Sequence, residues 1–275
     1  MLVEAVNQCY DVHFPDAEAL TLAAFQAEIR ELDMWASNCM VAREDDRLIG
    51  VLIAGKRPRE VLIRRIGVHP DFQGRGIGSH LLTSLSQKVA VLGPDRLIIE
   101  LPDQHADLFP FFQKNRYRHE TTYYRYTLTE PPTTPPPPEA VIPFSLQDAL
   151  DNDLIPDDET SHPDRLSHSE PTSSPSIAGP WDTQLPTLKA IANRLRGYAI
   201  ASPDSIEAFV LFTTSPTGTV IHSCGPAESP PYLPLLLSHT LGSNPPPLLL
   251  NAISAAPNLT PTGETQLLTT TAKPL

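Results

Sequence analysis

Proline decides what most of this chain can become. Of its 31 prolines, 25 fall after residue 129 and 6 before it, in 275 residues. Proline lacks a backbone N–H and has a fixed φ, which keeps it out of helix interiors and central strands. The run Pro135 to Pro138, flanked by Pro131, Pro132 and Pro143, therefore reads as extended polyproline geometry and a semi-rigid spacer, with a ligand for an SH3 or WW module as the alternative. From Leu146 to Thr183 the sequence is acidic and polar, which predicts disorder or a long loop. Three segments result: a domain over residues 1–129, a Pro-rich acidic linker over 130–184 that is expected to be largely disordered, and a second domain over 185–275.

Charge divides the same way. Residues 1–129 carry a net charge of −2 and the remainder −10, within a total of −12. An acidic chain without a dense Lys/Arg run is poorly suited to neutralising a phosphate backbone, so nucleic acid is not an expected partner. No apolar run approaches the roughly 18 residues that span a bilayer, and Met1 to Asp11 lacks a basic and then apolar signal segment. A cytoplasmic location away from membranes is expected. Cys9, Cys39 and Cys224 are odd in number and widely spaced, which indicates neither a disulfide framework nor a metal site. His162, His168, Asp157, Asp158 and Asp164 lack ligand spacing within their Ser/Pro-rich stretch and are read as polar linker.

The first segment mixes helical and strand periods. A helix entered at Asp16 and running over Ala17 to Asp33 presents Leu20, Ala23, Ala24, Ile29 and Leu32 as a stripe. Residues 39–43 and 48–54 flank the polar turn Glu44 to Arg47 as a hairpin. Val61 to Val68 is a third strand, Ile77 to Val91 a helix ended by Gly93-Pro94, and Leu97 to Leu101 a buried strand. Ala106 to Lys114 reads as a short helix interrupted near Pro110, and Tyr117 to Leu128 as a closing strand rich in Tyr and Thr.

Between the third strand and the helix lies Val68-His69-Pro70-Asp71-Phe72-Gln73-Gly74-Arg75-Gly76-Ile77-Gly78-Ser79. Glycines let successive N–H groups point outward, and the helix start adds unpaired donors at a positive dipole end. Such a loop suits an anion, most naturally a pyrophosphate; a plain flexible turn is the bland alternative. It is not a P-loop, which needs Gly-Lys-Ser/Thr, nor a G-x-G-x-x-G dinucleotide turn, because Gly74, Gly76 and Gly78 alternate.

What these residues resemble is the acetyl-CoA loop of the GNAT superfamily of N-acetyltransferases, V-x-P-x-x-[QR]-x-x-G-x-[GA], matched at every fixed position by Val68, Pro70, Gln73, Gly76 and Gly78. The resemblance covers residues 1–129 and implies an α/β fold, a GNAT-type mixed central sheet flanked by helices. It also implies an acetyl-CoA-dependent N-acetyltransferase that transfers to an amine of a small molecule or peptide by direct attack. Acetyl-CoA would be a cosubstrate, with no metal, contacted by Val68, Gln73, Gly74, Arg75, Gly76, Ile77, Gly78, Ser79 and His105. The family's late segment falls on His105, Phe111-Phe112 and Arg116-Tyr117, so Phe112 stands where a Tyr often serves as general acid. Tyr117, Tyr123, Tyr124 and Tyr126 are nearby hydroxyls, each equally readable as a packing aromatic.

Catalytic Glu60 is the acid nearest the family's usual base position; a solvated residue beside Arg57 and Arg59 is the other reading. Arg64 and Arg65, charged within a central strand, either meet an anionic ligand group or pair with Glu60 or Glu100. Tyr10, Phe14, Phe25 and Trp35 occupy the region that lines the family's acceptor pocket, though aromatics on a helix are more often core, and His69 and His80 read as surface residues.

After the linker, a helix at Leu185 to Leu195, strands at 197–202, 206–214 and 219–224, a helix at Pro231 to Leu241 and a strand at 248–253 repeat the first domain's strand, strand, strand, helix, strand order. This resembles a second, smaller, degenerate GNAT-like α/β half. Pro226 to Pro231 replaces its phosphate loop with prolines and Glu228, so this half is not expected to bind CoA; walling the acceptor cleft or association into a homodimer is its expected role. An acyl-CoA-binding sensor or scaffold without turnover remains the second functional reading.

Overall fold

A computed structural model describes residues 1–14, 18–132, 141–155, 179–203, 205–225, 232–252 and 260–271. The chain runs through α1 (Leu2–Cys9), α2 (Leu22–Glu31), β1 (Met40–Glu44), β2 (Arg47–Lys56), β3 (Glu60–Val68), α3 (Ile77–Leu92), β4 (Arg96–Pro102), α4 (Phe109–Lys114) and β5 (Arg118–Leu128). It continues with β6 (Ile142–Pro143), α5 (Leu146–Asp151), α6 (Leu185–Ala190), β7 (Arg196–Ala201), β8 (Ile206–Ser215), β9 (Gly218–Gly225), α7 (Tyr232–Ser243), β10 (Leu248–Ala252) and β11 (Gly263–Thr271). Two compact units form: Met1–Thr122 with Thr265–Leu275, and Tyr123–Glu264.

In the first unit the strands lie in the order β1-β2-β3-β4-β11. Pairing is antiparallel from β1 to β3, parallel between β3 and β4, and antiparallel between β4 and β11. On one face α3 sets Leu81, Leu82, Leu85 and Val89 against Leu52, Val61, Ile63, Leu97, Ile99 and Leu268, with Phe112 and Tyr117 completing the cluster. Each such side chain contributes about 1.5–3 kcal/mol by leaving water. On the other face α1 buries Ala5, Val6 and Cys9 and packs on β2 and β3. Its tail lies so close to β3 that a Cβ on Gly67 would sit 2.8 Å from the Cα of Tyr10. Only glycine admits that approach.

The second unit has the order β5-β10-β9-β8-β7-β6. Here α7 places Leu233, Leu236, Leu237 and Leu241 against Val210, Phe212, Ile221, Leu248 and Leu250. The opposite face is covered from the segment before β7: Phe144, Ala149, Ile155, Leu185 and Leu188 pack on Ala199, Phe209 and Leu211. The parallel pair β9–β10, the antiparallel strand beyond β10 and the helix between β9 and β10 repeat the plan of the first unit.

The structure corrects several expectations. Helix α1 is unanticipated because its buried stripe consists of small residues. Helix α2 starts at Thr21, whose side chain accepts from the Ala24 N–H at 3.1 Å, and not at Asp16, which lies outside the described residues. Part of the expected disordered linker is ordered: Ser145 and Asp148 form a reciprocal capping box that starts α5, and Phe144 and Ala149 are buried. The rest of that stretch, 133–140 and 156–178, lies outside the described residues, as do the five His and Asp of the metal reading and the loop Pro226 to Pro231.

Segment boundaries change as well. The expected division at 129 and 185 gives way to one at Thr122/Tyr123 and Glu264/Thr265. Strand β4, with Leu97, Ile98, Ile99 and Leu101 each at most 7% exposed, needs a neighbour on both edges; β3 supplies one and β11, from the far end of the chain, the other.

Candidate active site

The site is built around the C-terminal end of β3. Strands β3 and β4 pair only at Glu60↔Arg96, Val61↔Leu97 and Leu62↔Ile98. Beyond Leu62 the ladder stops, while β3 continues to Val68 and β4 to Pro102, so the two strands part in a splay. On its other edge β3 stays paired to β2, with Gly50 opposite Val68 and the His69 N–H donating to the Ile49 carbonyl at 3.0 Å. In an antiparallel ladder that pattern makes Gly50/Val68 a non-hydrogen-bonded pair, so the N–H and C=O of Val68, and of Ile66 two residues earlier, point away from β2 into the splay.

The chain leaves β3 through His69, whose Nδ1 accepts from the Asp71 N–H at 3.3 Å, and through a short 3-10 turn at Pro70–Phe72. Gly74 and Gly76 then adopt positive φ, 73° and 82°, with nothing within 4 Å of where a Cβ would stand. Glycine is therefore required for backbone conformation there and not for space. Gly76 is the N-cap of α3 and provides no side-chain cap, which leaves the first turn of a 16-residue helix to an outside acceptor. Gly78 is different: a Cβ would lie 3.1 Å from the Phe111 ring, so its smallness admits α4. Ile77 packs against the core, and the Ser79 carbonyl accepts from Thr83 within the helix. Arg75 donates to the Asp71 carbonyl at 3.2 Å and lies 4.9 Å over the ring of Phe72, with Arg47 5.8 Å from the same ring. Two guanidinium groups thus stand beside the loop.

Gln73 and Val68 lie together at the end of β3: Gln73 Nε2 is 3.5 Å from the Val68 carbonyl. His105 lies in the 3-10 turn that follows β4, its ring edge-on to Phe14 at 5.0 Å. His13 was not anticipated. Its Nε2 is 3.0 Å from the Val68 carbonyl and 3.3 Å from Gln73 Nε2, an approach across 55 residues of sequence that no local pattern signals.

On the face opposite α3, Arg65 donates to Glu28 of α2 through two N–H groups, one at 2.8 Å, and lies 5.9 Å from the ring of Tyr10. Burial raises the Glu28 carboxyl pKa, but the hydrogen bonds and charge of Arg65 outweigh it and hold the group below its ordinary range. Burial pushes the Tyr10 phenol up, against the pull of Arg65 and Arg64. The partner of Arg65 is thus neither Glu60 nor Glu100.

Glu60 is not solvated. It is 9% exposed and accepts from Arg96 Nη2 at 2.9 Å and Nε at 3.1 Å, while Arg96 also grips Glu120 at 2.8 Å. This network ties the start of β3 to β4 just before they separate. Phe112, the position without a hydroxyl, is 1% exposed core, and the Tyr117 hydroxyl is buried with no hydrogen-bond partner among the described residues, its pKa raised by burial. Of the four aromatics expected near an acceptor, Phe25 is core, Trp35 is 50% exposed under Lys56, and Tyr10 and Phe14 stack at 4.8 Å beside the splay.

Among the described residues no group of three His, Cys, Asp or Glu could hold a metal ion, and no helix is long and apolar enough to cross a membrane.

Comparison with known proteins bears on the fold and the family. The model of the acetyltransferase (GNAT) family matches residues 2–115. A tandem GNAT protein from the clavulanic acid biosynthesis pathway is similar in structure with a TM-score of 0.61 at 12% identity, over 99% of this chain and 95% of that one. A GCN5-related N-acetyltransferase from Sphaerobacter thermophilus has a TM-score of 0.64 at 15% identity, over 99% and 92%. One from Anabaena variabilis has 0.59 at 15%, over 99% and 70%. At these identities the likeness is one of fold. Residues 2–115, which include the loop Val68 to Gly78, match an acetyltransferase domain of the GNAT family.

Proposed function

We propose that this chain transfers an acetyl group from acetyl-CoA to the amine of a small molecule or peptide by direct attack. The observation that carries the reading is a coincidence at one end of β3: an uncapped helix start behind two positive-φ glycines, and an unpaired strand edge leading away from it. A pyrophosphate fits the first and an extended, amide-bearing arm fits the second. When bound, the cofactor supplies a thioester, an acyl group activated toward amines.

The chain's own residues then have separate tasks. The backbone N–H groups from Gly74 to Ser79 and the guanidinium of Arg75 hold the diphosphate charge. The Ile66 and Val68 backbone groups that face the splay hold the arm as a neighbouring strand would. Tyr10, Phe14 and His105 exclude water at the mouth. Glu60 acts on the amine's proton only if its Arg96 pair opens, and Glu60→Gln separates the two roles. Both roles predict a lower Tm, because the Arg96 pair is lost; a base role adds a fall in kcat/KM, whereas a purely structural role leaves kcat/KM of the folded protein intact.

The test is calorimetric and thermal-shift titration with acetyl-CoA, followed by thiol release across an amine panel. A ligand at about 100 times its Kd stabilises the folded state by roughly 2.7 kcal/mol, a clear rise in Tm. Thiol release that needs both substrates supports direct transfer. No protection at about 1 mM acetyl-CoA would refute the reading, and binding without release for any amine would turn it toward a cofactor sensor.

A further inference from the structure

Residues 10–14, which follow α1, reach both sides of the splay. The chain leaves α1 at Tyr10, held against β3 by the close approach at Gly67, and makes a 3-10 turn at Asp11–His13. His13 reaches the end of β3 at the Val68 carbonyl, while the next residue, Phe14, sets its ring on His105 in the turn after β4. One short segment therefore touches both arms. Its far end is pinned back to its start: the Leu20 N–H donates to Asn7 Oδ1 at 3.0 Å and Asp11 Oδ2 at 3.4 Å, and Asn7 Nδ2 donates to the Leu20 carbonyl at 3.2 Å.

The Val68 carbonyl points into the splay, where no strand among the described residues pairs with it. His13 Nε2, at 3.0 Å, takes the place of that missing strand, with Gln73 Nε2 as a second and longer donor at 3.5 Å. A carbonyl has two lone pairs, so with both donors in place an incoming amide N–H meets an acceptor already satisfied. We infer that His13 is a cofactor-affinity residue: its imidazole occupies the hydrogen-bond acceptor on β3 that the amide arm of CoA uses, and the arm binds by displacing it. This rests on the acyl-CoA reading of the splay and adds to it a competitor within the chain. The His13 imidazole then leaves the edge of β3 while the hydrogen bonds among Asn7, Asp11 and Leu20 hold.

The experiment is isothermal titration of the full-length chain with CoA, for wild type, His13→Ala and His13→Gln. His13 is exposed, so both variants should melt with the wild type, and thermal melting verifies it. Removing a neutral hydrogen bond that ligand must break should tighten Kd by roughly two- to tenfold in His13→Ala, through faster association in stopped-flow mixing. His13→Gln restores an N–H donor of similar reach and should return Kd to within about twofold of wild type. A Kd for His13→Ala that is unchanged or weaker overturns the competition while leaving the acyl-CoA reading intact. Absence of CoA binding by wild type and both variants overturns both.

Discussion

Ending the chain after Thr262 removes β11 and should unfold the first unit, although the cut lies 160 residues beyond the end of β4 at Pro102. Strand β11 forms seven antiparallel pairs with β4, from Thr265↔Pro102 to Thr271↔Arg96. Its Leu267 and Leu268 are 2% and 0% exposed. At about 1.5–3 kcal/mol for each buried leucine, the two account for roughly 3–6 kcal/mol, before the cost of exposing that edge of β4. A typical domain has only about 5–15 kcal/mol in total. Leu268→Ala alone, at a fully buried site facing α3, should cost about 2–5 kcal/mol. Urea unfolding followed by circular dichroism measures the loss, and hydrogen exchange locates it: the Leu97 to Leu101 amides should lose protection in the truncated chain. Equal urea midpoints and equal protection of β4 in the full-length and truncated proteins would refute the reasoning, and with it the assignment of β11 to the first unit. The same argument predicts that residues 1–129 expressed alone do not fold.

Other consequences follow from single contacts. Glu28→Gln leaves Arg65 without its bidentate acceptor and should destabilise the protein by about 2–3 kcal/mol near neutral pH. Because the folded-state pKa of Glu28 is depressed, the pair's contribution is present above the ordinary value of 4.5 and is lost as pH falls through the lower folded value. The wild-type advantage in Tm should therefore shrink below about pH 4.5 and be constant above it. Gly76→Ala meets no atom but must hold φ near 82°, at a cost of about 1–2 kcal/mol, measurable by thermal melting; a stabilised variant would contradict the positive-φ loop. Gly67→Ala places a methyl group 2.7 Å from the Cys9 carbonyl carbon, a backbone atom that cannot rotate away. A loss of about 1–3 kcal/mol in chemical denaturation is expected.

The loop was legible because its signal is local. Alternating glycines after a strand and before a helix announce a loop of unusual backbone conformation, and Gly74 and Gly76 adopt the positive φ that makes glycine necessary. Gly78 was legible as a motif position but not as a packing one, since its neighbour Phe111 is 33 residues away. The linker was misread where composition outweighed a short cue: Ser145-x-x-Asp148 is a capping box whose helix persists because Phe144 and Ala149 are buried. Glu60 was singled out by its position on the strand, but its Arg96 partner lies on β4 and Glu120 on β5, and charge pairing across strands follows from register.

By itself the sequence determined the α/β alternation, the glycine-rich strand-to-helix loop and the recurrence of one element order in both halves, all properties of residues within a turn or two of one another. Tertiary structure alone decided where β3 and β4 part, which strand completes each sheet, that Arg65 is matched by Glu28, and that His13 stands on the open edge of β3. Those outcomes depend on backbone pairing and side-chain approach between segments tens to more than a hundred residues apart, where the choice of partner is made by burial and register and leaves no periodic trace in either segment.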